Sequence, residues 1–432
     1  MVGGTGVRRL GILVGGGPAP GINGVIAAAT IEAINNGMEV FGFYEGFKYL
    51  AQGDATRYRK LCIDDVTGIH LKGGSILGTS RHNPTKVPAE MHNVLGTLRG
   101  LGIDALITIG GDDTAYSASQ VYAAASGSIR VAHVPKTIDN DLPLPGSAPT
   151  FGFETARHYG VMLARNLAED AKTTRRWYIV VSMGRAAGHL ALGIGKAAAA
   201  TLTIIPEEFR DQPVTVGKVC DIILGSIIKR RSMGDHYGLA ILAEGLIQAI
   251  GVERLKEAVG GEEELRRYGR LERDPHGNLR LGEIAFGRLI REQLEQRLKE
   301  LNLNVSMISQ NLGYELRCAD PIPFDAEYTR DLGYGAVRFI LSEEATKFGA
   351  IISILGGAMT PLKFDEMLDP ETKRMRTRKV NVDGEAYRCA RSYMIRLEPA
   401  DFEIPSRLAR LAEVVGMTPE QFKQRFAYVA QS

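Results

Sequence analysis

The chain has 432 residues, of which 44% are hydrophobic and 24% are charged, as in ordinary globular proteins. Its 52 basic and 50 acidic residues give a net charge of +2, which argues against nucleic acid or an anionic membrane as the main partner. The sequence has no apolar run long enough to span a bilayer, its first residues lead us to expect no signal peptide, and its four scattered cysteines lack zinc-site spacing. We therefore expect a cytoplasmic protein, large enough for two domains.

Strand and helix signals alternate along the chain. This pattern predicts an α/β fold of two doubly wound, Rossmann-like domains with mainly parallel sheets. The predicted strands are Arg9–Val14, Glu39–Tyr44, Asp104–Ile109, Arg130–Val134, Trp177–Ser182, Thr201–Ile205, Gly238–Ala243 and Ala350–Leu355. The predicted helices are Ile22–Asn35, Val87–Leu101, Thr114–Ala125, Phe153–Ala171, Ala186–Ala198 and Thr215–Arg231.

Two loops that follow predicted strands are rich in carboxylates. They read Gly-Gly-Asp-Asp-Thr at 110–114 and Pro-Lys-Thr-Ile-Asp-Asn-Asp at 135–141. Ligands of open parallel sheets bind at the carboxyl ends of the strands, so we expect these loops to share one crevice. Crowded carboxylates repel each other, and bound Mg²⁺, the lysine or proton sharing must offset that repulsion. The groups concerned are Asp112, Asp113, Asp139, Asp141 and Lys136.

A third loop, Gly15–Gly21, joins the first predicted strand to the helix Ile22–Asn35. Its glycines let backbone N–H groups approach a phosphate, and the helix N-terminus adds partial positive charge. The loop fits neither the dinucleotide fingerprint, because of Pro20, nor the P-loop, which needs a lysine. One such loop alone could be a tight turn, but three at three strand ends favour a phosphate site.

Beyond residue 180 the chain supplies cations, a carboxylate and a phenol near strand ends, two of them beside glycine. Guanidinium groups bind phosphate in a bidentate manner, and glutamate or tyrosine suits sugar hydroxyls or phosphate. A single arginine is more commonly part of a surface ion pair, but placement at a strand end beside glycine favours a ligand. The residues are Met183, Gly184, Arg185, Glu244, Tyr314 and Arg317.

The motifs at 110–114 and 135–141, followed by Met-Gly-Arg at 183–185, resemble the phosphofructokinase family and, within it, the pyrophosphate-dependent enzymes. The resemblance covers roughly Leu10 to Gly357. It implies the phosphofructokinase fold and a reversible, Mg²⁺-dependent transfer of a phosphoryl group from pyrophosphate to the 1-hydroxyl of fructose 6-phosphate. It also implies a homo-oligomer, either a dimer or a tetramer.

The same resemblance implies residue roles. Asp139 would be the base that deprotonates the sugar 1-hydroxyl, and Asp112 the magnesium-associated carboxylate. Arg176 would reach a neighbouring subunit's site. The implied sugar-phosphate contacts are Thr137, Ile138, Asp139, Arg176, Met183, Gly184, Arg185, Glu244, Tyr314 and Arg317. The implied donor contacts are Gly16, Gly17, Arg81, Gly111, Asp113 and Lys136.

Two side chains indicate the phosphoryl donor. Asp113 and Lys136 stand where ATP-using relatives usually have glycine. An aspartate there fills the space of an α-phosphate, and a like charge at ~4 Å costs about 4 kcal/mol at an effective dielectric constant of about 20. Lys136 adds a cation for a small donor. The alternative is that Asp113 only caps a helix starting at Thr114, which would not explain the lysine.

The resemblance suggests how the chain divides. We expect residues 1–150, completed by about 320–360, to bind the donor and metal, and residues 151–319 to bind the sugar phosphate, with a charged insertion near 255–285. Residues 361–432 lie outside the common core and would form a cap or an interface. The chain also has Ile308 six residues before Tyr314, where many relatives carry a cross-subunit arginine.

Other functions remain open at this point. One is an ATP-dependent 6-phosphofructokinase, and another is a non-catalytic sugar-phosphate-binding regulatory subunit. A lipid or NAD kinase on a related fold would share the Gly-Gly-Asp motif but lacks the segments at 135–141 and 183–185.

Overall fold

A computed structural model describes residues 7–210, 212–269, 284–367, 369 and 376–431. The strands are β1 (Arg9–Val14), β2 (Glu39–Phe43), β3 (Tyr58–Leu61), β4 (Ala105–Gly110), β5 (Arg130–Pro135), β6 (Trp177–Ser182), β7 (Leu202–Ile204), β8 (Gly238–Ala243), β9 (Met307–Leu312), β10 (Ala350–Leu355) and β11 (Ala358–Lys363). The helices are α1 (Ile22–Asn35), α2 (Lys48–Ala51), α3 (Ile63–Val66), α4 (Pro88–Gly100), α5 (Asp112–Ala125), α6 (Phe153–Thr174), α7 (His189–Ala197), α8 (Val216–Ser232), α9 (Gly245–Ile250), α10 (Val252–Val259), α11 (Glu262–Arg266), α12 (Phe286–Glu300), α13 (Pro323–Leu341), α14 (Phe364–Met367), α15 (Glu385–Tyr393), α16 (Pro399–Glu403), α17 (Pro405–Val414) and α18 (Pro419–Phe426).

The chain forms two compact units. Unit 1 comprises Met1–His158 and Tyr314–Arg378, and unit 2 comprises Tyr159–Gly313 and Lys379–Ser432. Each unit is built around its own sheet, which is the α/β architecture that the sequence predicts.

Unit 1 has a seven-stranded sheet in the order β11-β10-β5-β4-β1-β2-β3. The inner strands are parallel, whereas β3 and β11 pair antiparallel at the two edges. Neither edge strand was predicted. Pro361 in β11 suits an edge because proline cannot donate a ladder hydrogen bond, and Arg59 and Lys60 give β3 a charged edge.

Both faces of this sheet are covered, which explains the continuous apolar runs of its inner strands. Side chains alternate between two buried clusters, as the period of a strand requires. On one face Ile12 and Ile107 pack with residues of α1 and α13. On the other, Leu13 and Leu106 pack with residues of α4 and α5.

Unit 2 has a four-stranded, fully parallel sheet in the order β7-β8-β6-β9. Its buried cluster joins the sheet to α8, α12 and the C-terminal helices α17 and α18. The strand β9 carries polar residues along its length and lacked an apolar signal in the sequence.

The observed division differs in detail from the expected one. The first boundary lies after His158, inside α6, rather than near residue 150. Residues 361–432 are not one separate extension. Leu362 and Phe364 are buried in a cluster of unit 1, whereas Leu397 and Phe422 are buried in the cluster of unit 2. Part of the expected insertion near 255–285 forms α10 and α11, and residues 270–283 lie outside the described residues.

All four cysteines are free, and three of them are exposed. In the part of the chain that the structure describes, no helix is long and apolar enough to cross a membrane.

Candidate active site

The three predicted loops lie side by side at the carboxyl ends of β1, β4 and β5. In the sheet Val14 pairs with Ile109, and Gly110 pairs with Pro135. Backbone hydrogen bonds continue this pairing beyond the strands: Gly15 N–H donates to Ile109 O at 2.8 Å, and Lys136 N–H donates to Gly110 O at 2.7 Å. Parallel pairing therefore brings together loops that are far apart in the sequence.

The glycine-rich loop is held by residues from another part of the chain. Gly16 N–H donates to Ser80 O at 2.8 Å, and the Thr79 hydroxyl donates to Gly16 O at 2.7 Å. Thr114 packs against Gly15, where a Cβ atom would lie only 2.4 Å from its hydroxyl oxygen. The packing role of Thr114 was not foreseen. Position 15 requires glycine because the Thr114 side chain approaches its backbone too closely to leave room for a Cβ atom.

Lys136 lies at the centre of the site and is only 5% exposed. Its Nζ donates a hydrogen bond to the carbonyl oxygen of Gly17. Burial, and after it the neighbouring cations, lower the pKa of this lysine to about 8, against the opposing effect of nearby carboxylates. The charged groups that act on it are Arg317, Arg81, Asp139 and Asp112. Residues predicted as donor contacts are thus brought together around the glycine-rich loop.

Arg317 faces the same loop. A Cβ atom on Gly17 would overlap its guanidinium group, so the close approach depends on glycine at that position. Burial lowers the pKa of Arg317, and Arg81 lowers it further. The guanidinium carbon lies 5.4 Å from the ring centre of Tyr314, whose side chain is 79% exposed. Arg317, expected to hold the sugar 6-phosphate, therefore lies among the donor-loop residues, where its charge suits an anionic ligand.

The loop that carries Asp139 is fixed by its own hydrogen bonds. The Asp139 N–H donates to the Thr137 hydroxyl at 3.0 Å. The Thr150 hydroxyl donates to the Thr137 carbonyl at 2.8 Å, and the Thr150 N–H donates to the side-chain oxygen of Asn140 at 3.1 Å. The part played by Thr150 was not predicted, because nothing local in the sequence links it to residue 137.

Asp112 and Asp113 form the first turn of α5 and are exposed. The predicted start of this helix at Thr114 was wrong by two residues. Its N-cap is Gly111, which has no side chain that could cap the helix. Asp113 therefore lies inside the first turn of the helix and not at its N-cap position. Carboxylates in a first turn are favourable because the helix dipole is positive there.

The carboxylates suit a partial metal site. Burial raises the pKa of Asp141, and the charge of nearby Asp112 raises it further, so these two groups lie close together. Mg²⁺ is commonly held by one or two carboxylates together with substrate phosphates and water. Among the described residues no group of three or more His, Cys, Asp or Glu side chains could hold a metal. Asp112 and Asp141 thus fit a magnesium ion that arrives with a phosphate ligand.

In unit 2 the predicted sugar-phosphate residues gather at the carboxyl ends of β6 and β8. The Gly184 N–H donates to Glu244 Oε2 at 3.3 Å, and Gly184 O accepts from Gly245 N–H at 3.1 Å. Gly184 has φ of 128°, a conformation that favours glycine. Met183 packs against Gly313, and Arg185 is exposed.

Arg176 does not join this group. It precedes β6, whereas Met183 follows it, and a six-residue strand spans roughly 20 Å. Its Nε lies 4.0 Å from an oxygen of Asp170. Ile308, at the position where the resemblance implies a cross-subunit arginine, lies beside Tyr178 near the start of β6.

Comparison with known proteins shows which family the chain belongs to. Residues 9–340 match the family described as Phosphofructokinase. The chain belongs to the phosphofructokinase family. The pyrophosphate–fructose 6-phosphate 1-phosphotransferase of Thermotoga maritima is 52% identical over 424 residues, covering 98% of this chain and 99% of that protein. A protein of the same name from Naegleria fowleri is 50% identical, covering 98% and 96%.

Solved structures agree with the fold of this phosphofructokinase. The pyrophosphate-dependent phosphofructokinase from Marinobacter aquaeolei has a TM-score of 0.65 at 16% identity, covering 95% of this chain and 92% of that one. Phosphofructokinase from Saccharomyces cerevisiae has a TM-score of 0.65 at 20% identity, covering 97% and 50%.

Proposed function

We propose that this phosphofructokinase transfers a phosphoryl group reversibly from pyrophosphate to the 1-hydroxyl of fructose 6-phosphate, giving fructose 1,6-bisphosphate and phosphate. The observation that carries the choice of donor is the buried ammonium group of Lys136 against Gly17, with Arg81 and Arg317 close by. The two relatives at 52% and 50% identity bear the name of this activity.

The donor preference rests on volume and charge. Lys136 fills space at the glycine-rich loop that a nucleotide's additional phosphate would need, and it supplies a cation to a small donor. Asp113, in the first turn of α5, adds a negative charge that opposes a third phosphate. Pyrophosphate is small enough for the space that Lys136 leaves, and it has no third phosphate for Asp113 to repel.

The transfer step uses Asp139 as the general base. Its carboxylate takes the proton of the sugar 1-hydroxyl as that oxygen bonds to the nearer phosphorus of pyrophosphate. The bond from that phosphorus to the bridging oxygen breaks, and its electron pair leaves with inorganic phosphate. The hydrogen bond from Asp139 N–H to Thr137 orients the loop. Phosphofructokinase catalysis here is mainly positioning and charge stabilisation.

Lys136 and Arg81 stabilise the charge that develops on the transferring phosphoryl oxygens. Backbone N–H groups of Gly17 and Gly111 contact the donor, whereas the Gly16 N–H is already donated to Ser80 O, so Gly16 shapes the loop and gives the donor no N–H group. Asp112 and Asp141 would hold Mg²⁺, which neutralises phosphate charge when bound.

For the acceptor, we assign sugar contacts to Thr137 and Ile138 beside the base and to the Met183–Arg185 loop with Glu244, whose carboxylate binds hydroxyls. Tyr314 and Arg317 bind the 6-phosphate. Arg176 lies at the opposite end of β6 from Met183, which supports a role in the site of a neighbouring subunit of a homo-oligomer, either a dimer or a tetramer.

The donor profile tests this function. Initial rates are measured with pyrophosphate and with ATP at fixed fructose 6-phosphate and Mg²⁺. Turnover with pyrophosphate and little or none with ATP is the expected result. The reverse preference would make the chain an ATP-dependent enzyme, and no turnover with either donor would favour a non-catalytic regulatory subunit.

A further inference from the structure

Arg378 binds the loop of the catalytic base from a distant part of the chain. It lies beyond residues 9–340, the part that matches the family. Its backbone N–H donates to Asp141 O at 2.7 Å. Its guanidinium Nε donates to Asn140 O at 3.1 Å, and Nη1 donates to Ala148 O at 3.0 Å. Nη2 donates to the side-chain oxygen of Asn140. One arginine thus serves four oxygen atoms of a single loop.

The loop needs these donors because of its conformation. Asn140, the residue directly after Asp139, has φ of 55°, in the left-handed region that most L-residues avoid. Residues 140 and 141 are half-buried and follow the end of β5, so their carbonyl groups have no strand ladder to join and need other partners. Thr150 supplies one donor to the Asn140 side chain, and Arg378 supplies donors to that side chain and to the carbonyl groups of residues 140 and 141.

The guanidinium group of Arg378 is suited to binding several oxygen atoms of this loop. A guanidinium presents several N–H groups in a rigid fork, so it can donate to three acceptors in fixed directions at once. A lysine ammonium is a flexible point donor and cannot reproduce that geometry. The contacts therefore fix an orientation of the turn and do not simply add a positive charge beside it.

We propose that Arg378 is a positioning residue for phosphoryl transfer, because it holds the Asn140–Asp141 turn so that the adjacent Asp139 carboxylate stays aimed at the sugar hydroxyl. The proposal rests on the proposed function of Asp139. Arg378 touches the backbone and side chain of the loop, and its effect on the reaction passes through Asp139.

The first test compares steady-state rates of Arg378→Ala with those of Arg376→Ala. Arg376 is the matched control, an exposed arginine two residues earlier. A misplaced base can cost up to about 10²-fold in rate, so kcat of Arg378→Ala should fall by roughly 10- to 100-fold, with KM for pyrophosphate and fructose 6-phosphate changed much less. Arg376→Ala should match wild type. Arg378→Lys, which keeps the charge but not the fork, should lie between the two.

The decisive test repeats Arg378→Ala in an Asp139→Asn background, with labelled pyrophosphate to detect slow turnover. If Arg378 acts by aiming the base, its removal should cost almost nothing once the base is gone. An equal loss of rate in both backgrounds would overturn the proposal, as would a wild-type kcat in Arg378→Ala. If Arg378→Ala does not fold, the same comparison is made with Arg378→Lys. Absence of pyrophosphate turnover in the wild-type enzyme would instead count against the proposed function.

Discussion

Lys136 and Gly17 lie on different strand-exit loops, after β5 and β1, and are joined by a hydrogen bond from the lysine Nζ to the glycine carbonyl oxygen. This contact spans two parallel strands with β4 between them. It places a buried cation against the glycine-rich loop, where the proposed donor would bind.

Asp113→Gly should let ATP begin to bind and turn over, because it removes bulk and a negative charge near the position of an α-phosphate. Pyrophosphate turnover should fall less than ATP turnover rises, since Lys136 remains. The measurement is the ratio of kcat/KM for the two donors. A ratio that does not move would show that Asp113 does not select the donor.

Lys136→Gly should strongly reduce turnover of pyrophosphate, because it removes the buried cation from the donor site. Removing a donor aimed at developing charge typically costs about 10²–10³ in rate. The double variant with Asp113→Gly should deviate from additivity, because both side chains act on one small volume. Strict additivity in a double-mutant cycle would contradict a shared donor pocket.

The buried Lys136 predicts a pH dependence. Its pKa is lowered to about 8 from its ordinary value, so the cation is complete below that pH and is lost as pH rises through it. We expect kcat/KM for pyrophosphate to be level below about pH 8 and to decline above it. Lys136→Arg keeps its proton throughout, because the pKa of arginine exceeds about 12. The decline should therefore disappear in that variant, and its persistence would assign it to another group.

Asp139→Asn should retain the shape and hydrogen bonding of the side chain but remove proton acceptance. Loss of a general base typically costs about 10²–10⁴ in rate, while fructose 6-phosphate binding should change little. Steady-state assays measure the loss of rate, and a separate equilibrium titration measures the binding of fructose 6-phosphate. Near-normal turnover would show that another group takes the proton.

Arg317→Ala should mainly weaken sugar-phosphate binding, by about 2–4 kcal/mol for a lost charge-assisted contact. Because Arg317 lies beside Gly17 and Lys136, KM must be measured for both substrates. A raised KM for pyrophosphate alone would assign Arg317 to the donor. Arg338→Ala, at an exposed position on α13, serves as the control.

The buried ion pair between Arg396 and Glu208 in unit 2 predicts a stability effect. The two side chains are 2% and 3% exposed and lie 2.8 Å apart. Arg396→Met should lower the free energy of unfolding by about 3–5 kcal/mol, because it leaves a buried carboxylate without its partner. The exposed pair Arg388–Glu385 is the matched control, and Arg388→Met should cost about 0–1 kcal/mol. Denaturant unfolding measures both, and equal losses would refute the prediction.

Much of the fold follows from local patterns. The strands Arg9–Val14, Trp177–Ser182 and Ala350–Leu355 were predicted to the residue, because buried parallel strands are short apolar runs ended by glycine or polar residues. The edge strands β3 and β11 and the polar β9 were missed, since their sequences carry no such run and their pairing depends on neighbours distant in the chain.

By itself the sequence determined which chemical groups follow the strands, and hence the three loops and the family. Only the tertiary structure decided how those groups meet. Arg317 joins the donor loops through proximity to Gly17, and Arg378 reaches Asn140 across 238 positions of sequence. The physical reason is that strand signals come from nearest neighbours along the chain, whereas hydrogen bonds and charges act between whichever groups the packed core brings within a few ångströms.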